Sequence, residues 1–508
     1  MKHTQLYYSK ENKGLMKRCA GRRGRWFSLK PVIACLLIAV SAASCDKYLD
    51  VKPEGELTGD ELLKNAAGFE DALYGVYATL QKTTLYGENL SHNTIELLAQ
   101  YFDCFGNDYV INTVKYNYKF SAVEAQLLNI WKDMYTNIAN ANNILKNLEH
   151  FSPETLRYYS LYKGEALGIR AFMHFDLLRL YTENIQLNPA ASGIPYSTDF
   201  ALAAPQLIPA EEVYQKIIAD LTQAEELLKD DEQYLLYPKV INDENFLKDR
   251  EIHFNLYAVQ ATLARVYFTK GDMPKALLYA EKVINSGKFH LMDKTEISAG
   301  LMKGVLFPKE TIFGLYSNTY FTTVRNRFYY EISFFSYNCK DDTKTVFTGQ
   351  EANEGHDFRW ECYFKLPAVT QGEIRFTKLV DPYQLTPELE FQRPKGLIKG
   401  INMIRLPEMY YIAAEVLLDT DPEKGRAYLD VVLESRGLTA LKNRTPAQPL
   451  TLDIITNERY KELIGEGQTF FNRKRLNMNF TDVNGQPVQA SKAIYVLPIP
   501  LEEFDYRK

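Results

Sequence analysis

The sequence predicts a mainly α-helical protein in which pairs of helices stack into a repeat scaffold. Apolar residues recur at three- and four-residue steps over several long stretches, which is the period of an amphipathic helix. Glycine, proline and polar turn residues separate these stretches. Residues 288–400 break the pattern, because they are rich in Phe, Tyr, Thr and Asn and have no sustained helical period. We therefore expect a helical scaffold that carries an irregular, loop-rich lobe with a few short strands.

Residues 1–44 have the organisation of an export signal. Six Lys and Arg residues at positions 17–30 precede an apolar run of about fourteen residues, which is too short to span a bilayer. Ala42, Ala43 and Ser44 stand directly before Cys45, a pattern that resembles a bacterial lipobox and implies lipidation of the Cys45 thiol. A plain signal peptide, or a short buried helix, is the alternative. We expect translation to start at Met16.

The chain that remains after cleavage before Cys45 is acidic. Loss of nine basic residues and one acidic residue leaves 50 basic against 63 acidic side chains, a net charge near −13. Nucleic acids and anionic lipids both require a basic footprint, so neither is expected as a partner. Cys104, Cys339 and Cys362 are widely spaced. They suggest neither a disulfide framework nor a zinc site, and leave open a single Cys339–Cys362 bridge or free buried thiols.

The helical pattern follows a polar tether at residues 45–59. A scaffold is predicted over 60–287, with a loop insertion at 86–120, and a last helical repeat with the C-terminal region over 401–508. The predicted helices and helix pairs are 60–81, 122–148, 153–182, 210–229, 255–287 and 406–437.

The helix pairs at 255–287 and 406–437 show the repeat most clearly. Gly271–Asp272 interrupts the first pair, and Pro274 suits the first turn of its second helix. The string ATLARVYFTKGDMPKALLYAEKVI resembles a tetratricopeptide helix pair. The second pair turns at Asp421–Pro422. Such pairs bury their apolar faces only by stacking on one another.

Paired carboxylates suggest one catalytic alternative. Glu408 and Glu415 are seven residues apart and would share a helix face, as the acid and base of a glycosidase must share a cleft. The surrounding arginines favour a structural ion network instead, and we assign to it Arg405, Glu408, Glu415, Arg459 and Glu462. The sequence contains no nucleophile elbow, HExxH motif or phosphate-binding loop.

No cofactor is predicted. Asp419, Asp421 and Glu423 have the spacing of a calcium loop, but Lys424 replaces the glycine that such a loop needs at its sixth position. We therefore interpret this segment as the turn of a helix pair. A calcium site elsewhere stays open, without a location.

Aromatic and polar residues outside the helices indicate a binding site. Sugars present apolar ring faces and a rim of hydroxyl groups, so a glycan site combines flat side chains with amide, carboxylate or guanidinium groups. Two stretches, 101–118 and 316–337, offer this mixture, and Trp360 adds a third location. The candidate ligand-binding residues are Asn107, Asp108, Tyr109, Tyr320, Phe321, Arg325, Tyr329 and Trp360. For each ring, a place in the lobe core is the alternative.

Several motifs, in order along the chain, resemble the SusD/RagB family of outer-membrane lipoproteins from Bacteroidetes. They are CDKYLDVKPEG after Ser44, GEALGIRAFMHFDLLRLYTE, MIRLPEMYYIAAEVLL, NERYKELIGEGQTFFNRKR and the closing LPIPLEEF. The fourth departs from the family pattern at Gln468 and Asn472, where the family commonly has arginine and aspartate. The closing motif lacks the usual Asn-Pro.

The resemblance implies a surface-exposed protein that is anchored to the outer membrane by lipid alone. It implies binding of a glycan and its delivery to a TonB-dependent transporter of the SusC type, with no catalytic step. The alternatives are a surface glycoside hydrolase that uses Glu408 or Glu415, and a helical scaffold that binds only protein.

Overall fold

In the computed structural model of the chain, each long helix packs against the long helix that follows it. The structure describes residues 62–104, 106–200, 205–235, 245–298, 303–329, 337–339, 342–349, 351–365 and 374–505. All of these described residues belong to one compact unit. The predicted signal peptide, the tether and the lipidation site Cys45 lie outside the described residues.

Long helices alternate with short helices and short strands along the described chain. The helices are α1 (Ala66–Leu80), α2 (Thr94–Ala99), α3 (Asp108–Val114), α4 (Ser121–Leu148), α5 (Tyr159–Tyr181), α6 (Ala210–Leu227), α7 (Leu256–Lys270), α8 (Met273–Ile284), α9 (Lys294–Ser298), α10 (Tyr320–Phe328), α11 (Thr343–Thr348), α12 (Glu351–Glu354), α13 (Arg359–Tyr363), α14 (Pro387–Glu390), α15 (Leu406–Val416), α16 (Pro422–Ser435), α17 (Leu452–Leu463), α18 (Thr469–Leu476), α19 (Lys492–Tyr495) and α20 (Glu502–Asp505). The strands are β1 (Phe102–Cys104), β2 (Ser192–Pro195), β3 (Leu207–Pro209), β4 (Thr311–Tyr316), β5 (Tyr337–Cys339), β6 (Phe364–Lys365), β7 (Arg375–Phe376), β8 (Gly400–Arg405), β9 (Phe480–Thr481) and β10 (Pro487–Val488).

The long helices form one continuous stack. Contacts run from α1 to α4, and then successively to α5, α6, α7, α8, α15 and α16. Helix α5 lies at the centre, since 20 of its 23 residues are buried. These contacts confirm the predicted mainly α-helical fold, and they group the helices into four pairs in which each pair buries its apolar face on the next.

Local sequence sets the ends of the helices, including those at the predicted breaks Gly271–Asp272 and Asp421–Pro422. The Asn255 side chain accepts the backbone N–H groups of Tyr257 and Ala258 at the start of α7, and Gly271 ends that helix with φ of 94°. Asp272 then caps α8 by accepting the Lys275 N–H. Asp421 caps α16 in the same way through the Lys424 N–H. Such caps stabilise a helix by satisfying its first free N–H groups.

The segment predicted as a loop insertion, 86–120, contains regular structure. It holds α2, β1 and α3, each of seven residues or fewer. The lobe likewise contains short helices beside its predicted loops and strands. Elements this short display too few apolar repeats for a helical period to be recognised from sequence.

Strand β4 pairs with β8 in an antiparallel ladder, from Thr311 opposite Arg405 to Tyr316 opposite Gly400. Strand β8 runs directly into α15, so this ladder fastens the lobe to the last helix pair. The other strand pairs of the described chain, β1–β5, β2–β3, β6–β7 and β9–β10, are all two-stranded and antiparallel.

Two helical glycines offer a matched test of the helix packing. A Cβ added at Gly168 on α5 would lie 2.5 Å from a ring carbon of Phe254, whereas a Cβ at Gly75 on α1 would meet no atom within 4 Å. Gly168→Ala should lower the free energy of unfolding by about 1–3 kcal/mol through overpacking. Gly75→Ala should raise it by about 0.5–1 kcal/mol. Urea unfolding of both variants measures the difference, and an equal response would contradict this packing.

Candidate ligand-binding surface

The structure brings together the two aromatic stretches identified in the sequence. Strand β1, from the first stretch, pairs with β5, at the end of the second, with Phe102 opposite Cys339 and Cys104 opposite Tyr337. The two stretches are about 200 residues apart in the chain. Candidate residues from both therefore belong to one region of the molecule.

Side-chain contacts reinforce this junction. An Arg327 guanidinium nitrogen lies 2.7 Å from a carboxylate oxygen of Glu88. The Thr323 hydroxyl donates to the Gly87 carbonyl at 3.1 Å, and the Tyr337 hydroxyl donates to the Asn93 side chain. These contacts join α10 and β5 to the segment just before α2.

A chain of contacting aromatic rings continues from this junction towards Trp360. Neighbouring ring centroids in the chain are 5.1–6.0 Å apart, and its members are, in order, Tyr320, His92, Phe328, Phe376, Phe364 and Trp360. Phe102 on β1 contacts two of them, Phe328 at 5.1 Å and Phe376 at 5.3 Å. Both of these rings are fully buried. The inner part of the chain is thus core, and Trp360 at its end is half-buried.

The candidate residues divide into an exposed set and a buried set. Tyr320 and Phe321 are only 5% and 7% exposed, so they support the region from within. The other six are exposed or half-buried, and we call them the aromatic rim: Asn107, Asp108, Tyr109, Arg325, Tyr329 and Trp360. The assignment of all eight to ligand binding stays a prediction.

Members of the aromatic rim are held by local contacts. The Asn107 side chain caps α3 by accepting the Val110 N–H. The Tyr109 hydroxyl forms a hydrogen bond with the Thr94 hydroxyl on α2. Trp360 stacks on Phe364 at 5.1 Å with an interplanar angle of 27°. Because one ring face is supported in this way, the side chain is oriented before any ligand arrives.

Two buried titratable groups, His92 and Glu96, lie just before and within α2. Burial, assisted by Arg327, lowers the pKa of His92 to about 3, so its imidazole is neutral at physiological pH. Burial raises the pKa of the Glu96 carboxyl to about 8, although one of its oxygens accepts the Gly467 N–H at 2.8 Å. Glu96 therefore links α2 to the turn before α18, and at neutral pH its carboxyl is largely protonated.

A concave surface lies beside the C-terminal segment, apart from the aromatic rim. This groove, which we call the tyrosine groove, has a volume of about 620 Å³ and is lined by Tyr116, Tyr118, Tyr181, Phe504 and polar side chains that include a Glu183–Lys492 ion pair. The predicted stretch 101–118 contained the first two tyrosines. Sequence reasoning missed the others, because they come from distant segments that carry no shared local signal.

A buried ion network attaches the lobe to the scaffold. Glu462 on α17 is in contact with three guanidinium groups, from Arg405 at 2.7 Å, Arg436 at 3.0 Å and Arg359 at 3.2 Å. Burial alone would raise the pKa of the Glu462 carboxyl, but these cations hold it well below its usual range. Glu310, which precedes β4, binds both Arg405 and Arg436. Arg359 is the neighbour of Trp360, so the network also fixes the helix that carries that ring.

The two candidate catalytic carboxylates form ion pairs with different arginines. Glu408 receives two hydrogen bonds from Arg265, at 2.6 and 2.5 Å. Glu415 lies 3.0 Å from Arg459 and 2.6 Å from Arg475. Of the five residues assigned to the ion network, Arg405 and Glu462 contact one another, whereas Glu408 belongs to a separate pair and Glu415 and Arg459 form another.

The described part of the chain holds no group of three or more His, Cys, Asp or Glu side chains that could bind a metal ion. The segment with calcium-loop spacing is the turn before α16, where Asp421 is the helix cap. Cys104, Cys339 and Cys362 are free thiols. None of the helices in the described ranges is both long and apolar enough to cross a membrane.

Family models match most of the chain. Residues 47–268 match a SusD-like model described as starch-binding and associating with the outer membrane, and residues 322–508 match the model of the SusD family. The chain belongs to the SusD family. This membership confirms the resemblance found in the sequence motifs.

Curated SusD-like relatives match parts of the chain. SusD-like protein P2 of Formosa agariphila is 26% identical over 265 residues, which are 50% of this chain and 46% of that protein. SusD-like protein P38 of the same organism is 25% identical over 212 residues, or 39% and 38%. The chain thus aligns with less than half the length of these relatives.

Solved structures of the SusD superfamily share the fold. A superfamily protein from Bacteroides thetaiotaomicron has a TM-score of 0.70 at 22% identity, with 87% of this chain and 98% of that chain covered. A putative sugar-binding protein from Bacteroides vulgatus has a TM-score of 0.67 at 20% identity, with 87% and 96% covered. A laminarin-binding SusD-like protein has a TM-score of 0.61 at 18% identity, with 87% and 98% covered.

The ion network of this SusD-family chain predicts that Glu462→Gln strongly lowers the stability of the fold. The substitution leaves three buried guanidinium groups without their shared carboxylate, so the free energy of unfolding should fall by about 3–5 kcal/mol. Glu226→Gln is the matched control, because the Glu226 side chain is 75% exposed and forms a surface pair with Lys229. It should change stability by less than about 1 kcal/mol. Comparable urea midpoints for the two variants would contradict a stabilising role of this size for the network.

The raised pKa of Glu96 predicts a pH effect on stability. A carboxyl with a pKa near 4.5 when unfolded and about 8 when folded favours the native state at low pH, and this stabilisation is lost as pH rises from 4.5 through 8. Glu96→Gln should therefore lessen the decline in stability between pH 5 and 8 relative to the unsubstituted protein. Urea unfolding of both proteins across this range tests it, and parallel pH profiles would contradict it.

Proposed function

We propose that this SusD-family protein is a glycan-binding lipoprotein of the outer membrane, without catalytic activity. In this proposal it is anchored through Cys45, faces the cell exterior and delivers its ligand to a TonB-dependent transporter of the SusC type. Family membership supports the association with the outer membrane. One similar structure is a laminarin-binding protein, which makes a glycan the first class of ligand to test.

The observation that carries the proposal is the junction of the two aromatic stretches. Pairing of β1 with β5 gathers partly exposed rings and polar groups from distant parts of the chain into one region. Tyr109, Tyr329 and Trp360 would offer ring faces to the apolar faces of sugars. The side chains of Asn107, Asp108 and Arg325 would meet the hydroxyl groups.

The surroundings of Glu408 and Glu415 favour binding over hydrolysis. A glycosidase needs one carboxyl that stays protonated near neutral pH and another that is ionised, both within reach of the scissile bond. Here Arg265 donates hydrogen bonds to both carboxylate oxygens of Glu408, and two arginines contact Glu415. These ion pairs hold the carboxylates in structural contacts between helices.

Native gels that contain single polysaccharides, with laminarin included, test the proposed function. The purified protein should be retarded by one polysaccharide. Trp360→Ala and Tyr329→Ala should each weaken that binding by roughly 2- to 10-fold, because each removes one stacking surface. Phe200→Ala is the control, since Phe200 is 48% exposed but lies between β2 and β3, outside the lobe. It should leave the affinity unchanged.

Other outcomes distinguish the remaining possibilities. If Phe504→Ala lost binding and the rim variants kept it, the ligand would bind in the tyrosine groove rather than at the rim. Retardation by no polysaccharide, together with co-purification of a barrel transporter, would favour a scaffold that binds only protein. Release of shortened oligosaccharides that stops on Glu408→Gln would establish the hydrolase alternative.

A further inference from the structure

A small cavity enriched in arginine lies where five scaffold helices meet. It has a volume of about 40 Å³ and is bordered by α5, α7, α15, α17 and the segment that includes α18. Four arginines line it, and we call it the arginine cavity: Arg179, Arg265, Arg459 and Arg475. Among the described residues of its lining, Glu408 is the only carboxylate. The cavity shares no lining residue with the aromatic rim or the tyrosine groove.

The charges around the arginine cavity do not balance. Arg179 pairs with Asp176, and Arg265 pairs with Glu408. Arg459 and Arg475 share a single carboxylate, that of Glu415. Four guanidinium groups are thus in contact with three carboxylates, and one positive charge remains without a counter-charge among these contacts. A buried, uncompensated charge is costly, so the site favours an additional anion.

Two of the arginines that line the cavity also carry buried hydrogen-bond donors that remain unused. The Nε and Nη2 groups of Arg459 and the Nη1 group of Arg265 have no hydrogen-bond acceptor among the described residues. The two side chains are only 7% and 4% exposed. Buried guanidinium donors are normally satisfied, because an unpaired donor costs about 1–3 kcal/mol or more. These donors belong to side chains that border one cavity, which suits a shared acceptor.

Neutral residues complete the wall on the side of α18. Asn472 accepts hydrogen bonds from Arg459 at 2.6 Å and from Arg475 at 2.9 Å through its side-chain oxygen. It supplies an acceptor without a charge. Gln468 accepts from Arg179 in the same way, at 3.2 Å. At both positions a neutral amide oxygen therefore accepts hydrogen bonds from arginine, as a carboxylate would. Neither amide supplies the negative charge of a carboxylate.

The state of Arg475 agrees with this imbalance. Burial, together with the nearby Arg459, lowers the pKa of Arg475 to about 10 against the opposing effect of Glu415. The guanidinium is also 3.9 Å from the ring centroid of Phe268. The ring face and one shared carboxylate compensate this cation only in part.

We propose that the arginine cavity is a binding site for one small monovalent anion of chloride size. The cavity has room for about three water-sized particles, which suits a small ion better than a sugar carboxylate or a phosphate ester. Half-buried Thr269, Gln468 and Asn472 in its lining give a path to solvent. The bound anion would accept hydrogen bonds from Arg265 and Arg459 and fasten α7 to α17. This site is independent of the proposed glycan binding.

Thermal unfolding in chloride and gluconate tests the proposal. The purified protein is melted in mixtures of sodium chloride and sodium gluconate at constant ionic strength. Chloride should raise the melting temperature by a few degrees with saturation, because a ligand that binds only the folded state stabilises it by mass action. Gluconate is too large for the cavity and should not raise the melting temperature. A melting temperature that does not respond to chloride would overturn the proposal.

Asn472→Asp supplies the missing charge within the protein. This nearly isosteric variant keeps the acceptor for Arg459 and Arg475, so it should melt at a higher temperature in gluconate and lose most of the response to chloride. Asn140→Asp is the control, because it adds the same charge at an exposed position of α4. It should keep the chloride response. An unchanged response in Asn472→Asp would place the anion elsewhere and refute the assignment.

Crystals grown in bromide give a test that does not depend on any variant. Bromide has the charge of chloride and a similar size, and its anomalous scattering identifies its position. A peak within hydrogen-bond distance of Arg459 and Arg265 would support the site. The absence of a peak there, in crystals with bromide at a concentration that saturates the thermal effect, would overturn it.

Discussion

The fold depends on burying charged groups in matched contacts between segments that are distant in sequence. Glu462 is fully buried, and three arginines from the lobe and the last helices converge on it. In a low-dielectric interior each of these charges is tolerated only because the others are present. The network therefore specifies which surfaces meet. It places β8, α13, α16 and α17 around one carboxylate, and in doing so it positions the lobe on the scaffold.

A second buried ion cluster fastens another part of the scaffold. Glu165 on α5 lies 2.7 Å from Arg250 and accepts a hydrogen bond from Tyr77 on α1 at 2.6 Å. Burial would raise the pKa of this carboxyl, but Arg250 and His253 hold it at about 2. The helical stack is thus stabilised by apolar packing along its length, while the buried charges fix the relative positions of particular helices.

The lobe uses its aromatic residues in two ways. Inner rings such as Phe328 and Phe376 are core, and they tie the strands of the lobe to the segment around α2. Outer rings such as Trp360 rest one face on this core and approach solvent with the rest of the side chain. The same chain of rings therefore stabilises the lobe with its buried members and would support the proposed ligand-binding surface with its half-buried end.

Local sequence patterns were sufficient to predict the fold class and most of the long helices, but not the candidate surface. Apolar periodicity, the caps Asn255 and Asp421 and the break at Gly271 are local signals, and the helices follow them closely. The family could also be recognised, because its motifs lie largely within these regular segments. By contrast, Phe321 and Trp360 both occur in aromatic stretches without a period, yet one is buried and the other half-buried. The excess charge at the arginine cavity comes from helices that no local pattern relates. Strand pairing, burial and charge balance are properties of contacts across hundreds of residues, so they became known only when the chain was seen folded.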